Sequence, residues 1–576
     1  MKYWESILLV VACTTFFLLS YRASPQKSAA FDEQFHLTAG YTYAQTGDAR
    51  LANNHPPLMG LIASLPLLTQ DNIHLPLEHP SWEDGNRFLF SDQFFWYAGN
   101  QTQAMLESAR IPIILVGVLL LLTIFSWARL AFNSRWASWV ALGLAVFDPN
   151  LLANSRLVTT DLGVTTFLFL SLFFLWLALK QDNQQTQPEH VSTALFLRPL
   201  PISLFMAGIC AGFALAAKYN GVLIAPLALA LILVYPRWHW PRLAYLAGVG
   251  LIALLTLWAI FLFEVGPVPF LGGLSLPAPF YWQSLYETVV KLPAEATAKT
   301  NFLLGQVSTG GWWYYFPVAL AVKTPLPTLI LLVWGLIHLG RNGRLRQQVF
   351  LWLPALAFLL LGMTGILTIG YRHLLPAVPF VFVLAGSAAD SIHLPPPPFK
   401  LHNWKGIIIP LLLVWLTVQT LRFFPHHEAY FNEFAGDWTH WSEILVDSNL
   451  DWGQDLIALQ QWQAAYGVPQ VNLAYFGMAH PEQYGVGYRP LPSYLRFTTG
   501  SEIAAFNPYT PAPGWYAISA TALRTGTMTP ETVDLYKPFR DRVPDARAGY
   551  SIYLYKFAYP SDVNVARPTV IGQPLW

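Results

Sequence analysis

Two adjacent acids, Asp32 and Glu33, closely follow the first apolar segment of this 576-residue chain. Residues 6–20 (SILLVVACTTFFLLS) are almost wholly apolar, and from residue 31 the chain reads FDEQFHLTAGYTYAQTGDARLANNHPPL. A carboxylate held beside a membrane is suited to acid–base chemistry on a molecule that the membrane delivers. The two acids could equally be ordinary caps of a helix over residues 36–47, and both interpretations stay open.

Asp161 is the third candidate acid. It follows two threonines and precedes the apolar run LGVTTFLFLSLFFLWLAL, so it lies at one end of a predicted helix. An acid in a first helical turn complements the helix dipole, which is a structural explanation. Ionisable groups at membrane depth are costly and are commonly functional, which favours a role in chemistry.

Single cations lie in three turns that contain few other charges. They are Arg156 in DPNLLANSRLVTTD, Lys218 in AAKYNG and Arg372 in GYRHLLP. Such cations could converge on one anionic group such as a lipid phosphate, because Arg offers a fork of donors and Lys a point charge. Alternatively, each side chain reaches the membrane interface as an anchor. His55, which precedes two prolines, either binds phosphate or caps a short helix.

A second acidic pattern, DSNLDWGQD at residues 447–455, spaces Asp447, Asn449 and Asp451 like the start of a calcium loop. The pattern has no glycine at position six and no acid at position twelve, both of which calcium loops use. A capped helix start is therefore the favoured interpretation.

The composition indicates an integral membrane protein. Hydrophobic residues make up 54% of the chain and charged residues only 11%, whereas soluble domains carry roughly 25% charged residues. The net charge of +1 provides no overall field that would attract nucleic acid.

Eleven apolar segments are candidates for helices that cross a bilayer, whose core takes about 20 helical residues. They are residues 5–21, 110–131, 136–150, 157–179, 199–217, 220–236, 243–264, 317–339, 349–369, 374–391 and 405–423. Residues 57–68 are too short to span and predict a re-entrant or interfacial helix. Lys323 falls inside the eighth segment and therefore needs a partner or a polar cavity.

Basic residues concentrate in alternate connecting segments. They are Lys2, Arg129, Arg135, Lys180, Arg198, Arg237, Arg242, Arg341, Arg344, Arg346, Lys400 and Lys405. The positive-inside rule makes these segments and the N-terminus cytoplasmic. The loops 22–109 and 265–316 then lie outside. The first segment could instead be a signal peptide that is removed, which leaves the later topology unchanged.

Residues 426–576 have the composition of a soluble extracytoplasmic domain. VNLAYFG, WYAISATAL and SIYLYKF are typical of strands, and a helix is expected before them. We expect an α/β or α+β domain after a mainly α membrane module over residues 1–425. Trp312, Trp313, Tyr314 and Tyr315 at the start of the eighth segment are typical of an interfacial aromatic belt, or they stack on a sugar or an isoprenoid chain.

These motifs resemble those of the GT-C membrane glycosyltransferases of family 39, which include protein O-mannosyltransferases and lipid A aminoarabinose transferases. Residues 31–58 are similar to the first-loop motif of that group, and NSRLVTTDLG at 154–163 is similar to its second acid motif. GWWYYFPVALAVKTPLP, YFNEFAG and DSNLDWGQDL resemble bacterial members. The resemblance covers most of residues 1–425.

The resemblance implies transfer of a hexosyl or pentosyl group from a polyprenyl phosphate to a protein, lipid or glycan acceptor in the cell envelope, as in protein glycosylation. The enzyme would lie in the plasma (bacterial inner) membrane and act at its outer face, with inversion. Asp32 would be the general base, while Glu33 and Asp161 would orient the acceptor. These three acids would also be the ligands of a divalent cation (Mg, Mn or Zn), if one is used. Four basic residues would bind the donor phosphate: Lys218, Arg372, His55 and Arg156.

Two other classes of function remain open. A transporter or flippase for polyprenyl-linked lipids or sugars would use membrane acids as a proton relay, which requires acids buried within spans. A non-catalytic membrane-anchored binding protein would act through residues 426–576.

Overall fold

A computed structural model describes residues 3–185, 200–236, 240–297, 300–365, 368–391, 404–495, 507–525 and 534–558. Within these residues, six helices are long and apolar enough to cross a membrane: Tyr3–Gln26, Thr102–Phe132, Asp161–Asn183, Pro241–Ile260, Leu345–Thr364 and Tyr371–Asp390. The chain is therefore a multi-pass membrane protein, as its composition predicts.

Two bent helix pairs and three shorter apolar helices account for the other predicted segments. The pairs are Arg135–Val146 with Pro149–Ser155, bent by 62°, and Tyr315–Lys323 with Leu326–Arg341, bent by 109°. The shorter helices are Pro201–Ala217, Tyr219–Val234 and Gly406–Arg422. Counting each bent pair as one span, up to eight described helices or pairs are long enough to cross, although all eleven predicted segments coincide with helical structure.

The third predicted segment, residues 136–150, is broken because its sequence starts a second helix. The Asp148 carboxylate accepts a hydrogen bond from Leu151 N at 2.8 Å, and Pro149 occupies the first helical position. An N-cap followed by proline is the usual signal for a helix start.

The cations predicted to be cytoplasmic lie at the helix ends opposite Asp161. Helix Asp161–Gln185 begins at Asp161 and carries Asp182 in its last turns. Ion pairs at that far end join Arg242 with Asp182, Arg344 with Asp390 and Arg135 with Glu5. Lys2, Arg198, Arg237 and Lys400 lie outside the described residues.

The loop that follows the first membrane helix is built on helices Glu33–Thr46 and Leu58–Ser64, with short helices Pro80–Glu83 and Arg87–Asp92 after them. The first two helices touch through their backbones at Gly40 and Gly60, where a Cβ on either glycine would overlap the other backbone. The predicted short helix at 57–68 is thus confirmed as a helix, and it is packed against the helix that follows the acid pair.

Residues 265–316 contain two hairpins, separated by helix Pro279–Thr297. In the first hairpin β1 (Val265–Val268) pairs with β2 (Leu274–Pro277), and in the second β3 (Asn301–Leu303) pairs with β4 (Gln306–Ser308). Trp313 is 66% exposed, as a belt residue would be. Tyr315 differs from that prediction, because it is 1% exposed and its hydroxyl accepts a hydrogen bond from Asn449 Nδ2 at 2.8 Å.

The C-terminal part forms a five-stranded mixed sheet of order β6-β5-β7-β9-β8. The strands are β5 (Val471–Ala474), β6 (Tyr488–Pro490), β7 (Gly514–Ser519), β8 (Ala546–Ala548) and β9 (Ile552–Phe557), with helices Trp438–Ile444, Leu456–Tyr466, Ala520–Thr525 and Lys537–Arg540. The predicted mixture of helices and strands in the C-terminal part is confirmed. The strand expected over WYAISATAL ends at Ser519, because the residues that follow favour helix and Asp451 accepts from Thr521 N.

Residues 426–455 pack back onto the membrane helices before the sheet begins. Lys27 Nζ, directly after the first helix, donates to Asp455 Oδ1 at 2.5 Å. Asn432 N donates to Val322 O at 2.8 Å. Lys323 is buried and donates to two backbone carbonyls, those of Glu428 and Asn449, which supplies the partners that its position required.

His480 connects the C-terminal domain with the loop of residues 22–109 that follows the first membrane helix. Its ring contacts Asp92 at 2.9 Å and Glu482 at 3.4 Å, and it stacks on Trp96. Burial lowers the pKa of His480, but hydrogen bonds to Asp92 and Glu482 outweigh burial and raise the pKa to about 9.

We expect this contact to stabilise the fold below about pH 6.5 and to weaken as the pH rises toward 9, because the folded state holds the proton more tightly. The loss should be on the order of 2 kcal/mol. Thermal unfolding in detergent at several pH values should show this slope, and His480→Asn should abolish it. An unchanged slope in the variant would contradict the assignment.

Candidate active site

Asp32 lies at the start of helix Glu33–Thr46, but its side chain does not cap the helix. The carboxylate instead accepts a hydrogen bond from Arg372 Nη1 at 2.8 Å. The cap interpretation of Asp32 therefore does not hold in the structure, and its carboxylate faces a cation that is 340 residues away in sequence.

Asp161, Lys218 and Arg372 meet at the same point. Lys218 Nζ lies 2.6 Å from Asp161 Oδ1, and Arg372 Nη1 lies 3.5 Å from Asp161 Oδ2. Lys218 precedes the 3₁₀ turn Tyr219–Leu223, and Arg372 lies in the 3₁₀ turn Tyr371–Ala377. We call Asp32, Arg372, Asp161 and Lys218 the charge cluster, in which acids and cations alternate.

The charge cluster keeps Asp32 ionised. Burial raises the pKa of the Asp32 carboxyl, but the adjacent Arg372 outweighs burial and leaves the pKa below its ordinary value. A general base must be deprotonated at the working pH, and Asp32 meets that requirement.

The imidazole rings of His36 and His55 lie next to the charge cluster, with ring centres 5.1 Å apart. Burial lowers the pKa of His36 to about 4, although Asp32 opposes the shift, and burial lowers the pKa of His55 well below its ordinary value. Both rings are therefore neutral near pH 7. His55 can still give a neutral hydrogen bond, since its Nδ1 is buried and has no partner among the described residues.

Glu33 faces away from the charge cluster. Its carboxylate accepts from Arg110 Nε at 2.9 Å and Nη2 at 2.5 Å, and also from Ala30 N and Val158 N. Both Glu33 and Arg110 are 0% exposed. Glu33 therefore links the first loop to helix Thr102–Phe132 and to the turn that precedes Asp161, and this arrangement does not favour the roles in acceptor or cation binding that the resemblance implied.

Glu33→Gln should destabilise the protein by about 3–5 kcal/mol, because Arg110 would be left as an unpaired buried charge. We expect a lower thermal unfolding temperature in detergent and a lower yield of folded protein. Glu83→Gln is the matched control, since Glu83 is an exposed acid in the same loop. A Glu33→Gln protein as stable as this control would show that the pair is not structural.

Arg156 also lies outside the charge cluster and is paired with Glu428. Glu428, Asn154, Lys323, Arg372 and Trp452 help to line a small polar cleft. In the described part of the chain, buried Arg156 Nε and Nη1, Asn154 Oδ1 and Glu428 Oε2 lack hydrogen-bond partners. Arg156 is therefore paired with Glu428, and among the described residues it makes no contact with the other predicted phosphate ligands.

A divalent cation does not fit the three acids that were predicted to hold it. Glu33 is bound to Arg110, and the carboxylates of Asp32 and Asp161 are paired with cations. The described residues contain no group of three or more His, Cys, Asp or Glu side chains arranged for a metal ion.

The calcium-loop spacing at 447–455 does not form a metal site either, because its side chains point to different partners. Asn449 Oδ1 accepts from Tyr371 N, and Asp451 Oδ2 accepts from Thr521 N. The expected capped helix start is also absent here, since Asp455 precedes helix Leu456–Tyr466 without a side-chain cap. Trp452, whose ring lies 4.1 Å from the Arg372 guanidinium, is a site residue that sequence reasoning missed.

The fold is similar to that of two kinds of solved membrane protein. ArnT from Cupriavidus metallidurans bound to undecaprenyl phosphate is 13% identical, with a TM-score of 0.47, over 96% of this chain and 98% of that chain. The oligosaccharyltransferase of Archaeoglobus fulgidus, tethered with an acceptor peptide, is 14% identical with a TM-score of 0.47, over 73% of this chain and 55% of that chain.

No curated protein sequence matches the chain. Residues 102–261 match the family model described as dolichyl-phosphate-mannose-protein mannosyltransferase. This stretch contains Asp161 and Lys218, which are half of the charge cluster. The match covers less than a third of the chain, and it agrees with the glycosyltransferase resemblance that the motifs indicated.

Proposed function

We propose that this protein transfers a hexosyl or pentosyl group from a polyprenyl phosphate donor to a protein, lipid or glycan acceptor. The observation that carries the proposal is the charge cluster, in which two carboxylates and two cations alternate at the ends of membrane helices. A carboxylate beside a fixed pair of cations suits a reaction in which one hydroxyl loses a proton while a phosphate departs.

Asp32 accepts the proton of the acceptor hydroxyl. The acceptor oxygen attacks the anomeric carbon in one displacement, the bond from that carbon to the phosphate oxygen breaks, and the configuration inverts. Arg372 and Lys218 offset the charge on the departing polyprenyl phosphate, and neutral His55 is placed to add a hydrogen bond.

The donor phosphate must compete with carboxylates for these cations. In the structure Lys218 is paired with Asp161, and Arg372 with both Asp32 and Asp161. A phosphate that attracts Arg372 weakens the hold of Arg372 on Asp32, which makes Asp32 a stronger base. Donor binding therefore prepares the base, and Asp161 keeps the cations in place until the donor arrives.

The family description supports this choice of substrates, because it names dolichyl phosphate mannose as the donor and a protein as the acceptor. The basic residues at the opposite helix ends favour a cytoplasmic N-terminus, with the charge cluster and C-terminal domain outside the plasma (bacterial inner) membrane. A transporter is less favoured, because the acids lie at helix ends and not within spans.

The test is a transfer assay with purified protein in lipid vesicles, using a panel of radiolabelled polyprenyl-phosphate sugars and extracted envelope acceptors. We expect label to pass to one acceptor class and polyprenyl phosphate to be released. Movement of a labelled lipid across the bilayer without transfer would support a flippase. Folded protein that neither binds polyprenyl phosphate nor transfers any sugar would overturn the proposal.

A further inference from the structure

The indole ring of Trp452 supports the guanidinium of Arg372. The Arg372 Cζ atom lies 4.1 Å from the ring centre, and Trp452 is 4% exposed. A cation over an aromatic ring is attracted by the negative face of the ring, and the attraction is greatest where water is excluded. The same guanidinium thus contacts both the Trp452 ring and the Asp32 carboxylate.

The backbone of Trp452 holds the other side of the cluster. Its carbonyl oxygen accepts from Phe31 N at 2.9 Å, next to Asp32, and the carbonyl oxygen of Gln454 accepts from Ser28 N at 3.2 Å. One residue of the C-terminal region thus contacts both the segment that carries the base and the side chain that pairs with it.

The residues before Trp452 hold the turn that carries Arg372. Asn449 Oδ1 accepts from Tyr371 N at 2.8 Å, and Ser448 Oγ donates to Ile369 O at 3.0 Å. Asn449 Nδ2 also donates to the Tyr315 hydroxyl. Ser448 and Asn449 therefore join the C-terminal region to the helix ends that carry Tyr315 and Arg372.

We propose that Trp452 is a positioning residue for Arg372 and that the charge cluster is complete only when the segment 447–455 is docked on the membrane module. The inference rests on the proposed transferase function and deepens it, because it makes Trp452, a residue outside the membrane module, part of the same site.

The experiment compares Trp452→Leu with Trp452→Phe, in full-length protein in lipid vesicles. Leu keeps the backbone contact to Phe31 but removes the ring, so we expect kcat to fall about 10-fold, with a smaller change in the KM for the acceptor. Phe keeps an aromatic face and should restore kcat to within about 3-fold of wild type. If Trp452 contributed only packing, the change in kcat would not depend on whether the substituted side chain is aromatic.

Trp462→Leu is the matched control, because Trp462 is 8% exposed in the same domain and packs on Trp515, away from the cluster. It should lower thermal stability with kcat unchanged. Binding of polyprenyl phosphate is measured beside transfer, and Trp452→Leu should weaken it while Trp462→Leu does not.

Each outcome separates this inference from the function on which it rests. Transfer by wild type with equal kcat in Trp452→Leu would overturn the positioning role and leave the transferase function intact. Equal losses in the Leu and Phe variants would overturn it too, because the ring would then not matter. Wild-type protein that is folded but shows neither transfer nor polyprenyl phosphate binding would overturn both.

Discussion

Asp32→Asn is expected to lower kcat for sugar transfer by about 10² to 10⁴-fold, the usual contribution of a positioned general base. Asparagine has nearly the shape of aspartate and still accepts a hydrogen bond from Arg372, so the cluster should remain assembled. Donor affinity should change little or rise, since Arg372 loses the carboxylate that competes with phosphate. Single-turnover transfer and polyprenyl phosphate binding, measured on the same preparation, check both statements.

The control for Asp32→Asn is Asp71→Asn, the same change at an exposed acid in the loop of residues 22–109. It should transfer at the wild-type rate. Wild-type rates from Asp32→Asn would exclude Asp32 as the base and direct attention to Asp161. A loss of donor binding together with transfer would show that Asp32 acts in assembling the site.

Arg372→Gln is expected to weaken polyprenyl phosphate binding by about 100-fold, because it removes a buried, charge-assisted donor at the phosphate site. It should also change the pH dependence of transfer. Arg372 is the main group that holds the pKa of Asp32 down, while burial pushes it up.

Without that cation the pKa of Asp32 should rise, because burial would no longer be opposed by an adjacent positive charge. Since the base acts only when deprotonated, the acid limb of the kcat/KM profile should move to higher pH, and residual activity should recover as the pH rises. Arg372→Lys keeps the positive charge but loses the paired N–H donors of the guanidinium. Polyprenyl phosphate binding should therefore still weaken, while the acid limb should shift less than in Arg372→Gln.

Arg489→Gln, at an exposed arginine of the C-terminal domain, is the matched control and should leave both binding and the profile unchanged. An Arg372→Gln profile with the wild-type acid limb would mean that Arg372 does not set the ionisation of Asp32. The ion pair in the structure would then not persist during turnover.

Much of the secondary structure could be predicted because it depends on local properties. Apolar runs long enough to cross a bilayer form helices, because a helix satisfies its own backbone hydrogen bonds. The eleven predicted segments accordingly coincide with helical structure, and strands β5 and β9 follow from alternating and β-rich residues. Charge bias in the connecting segments correctly separated the basic helix ends from those that carry Asp161 and Arg372. The break at Asp148–Pro149 was missed, although its capping residue and proline are local signals.

The site was predicted in part. Asp32, Asp161, Lys218 and Arg372 stood out because an isolated charge beside an apolar run is costly unless it has a partner or a role. Glu33 is adjacent to Asp32 in the sequence and follows the same apolar segment, yet its side chain faces Arg110. Adjacent residues at a helix start point in different directions, and which partner each one meets depends on distant segments.

Residue type and hydrophobic pattern alone determine that this is a polytopic membrane protein, where its helices lie, and which charges gather at one end. Only the tertiary structure decides that Asp32 and Arg372 form a pair across 340 residues of sequence, that Glu33 pairs with Arg110, and that Trp452 packs against Arg372. The physical reason is that pairing and packing depend on the contacts between segments, and the spacing of residues along the chain does not specify those contacts.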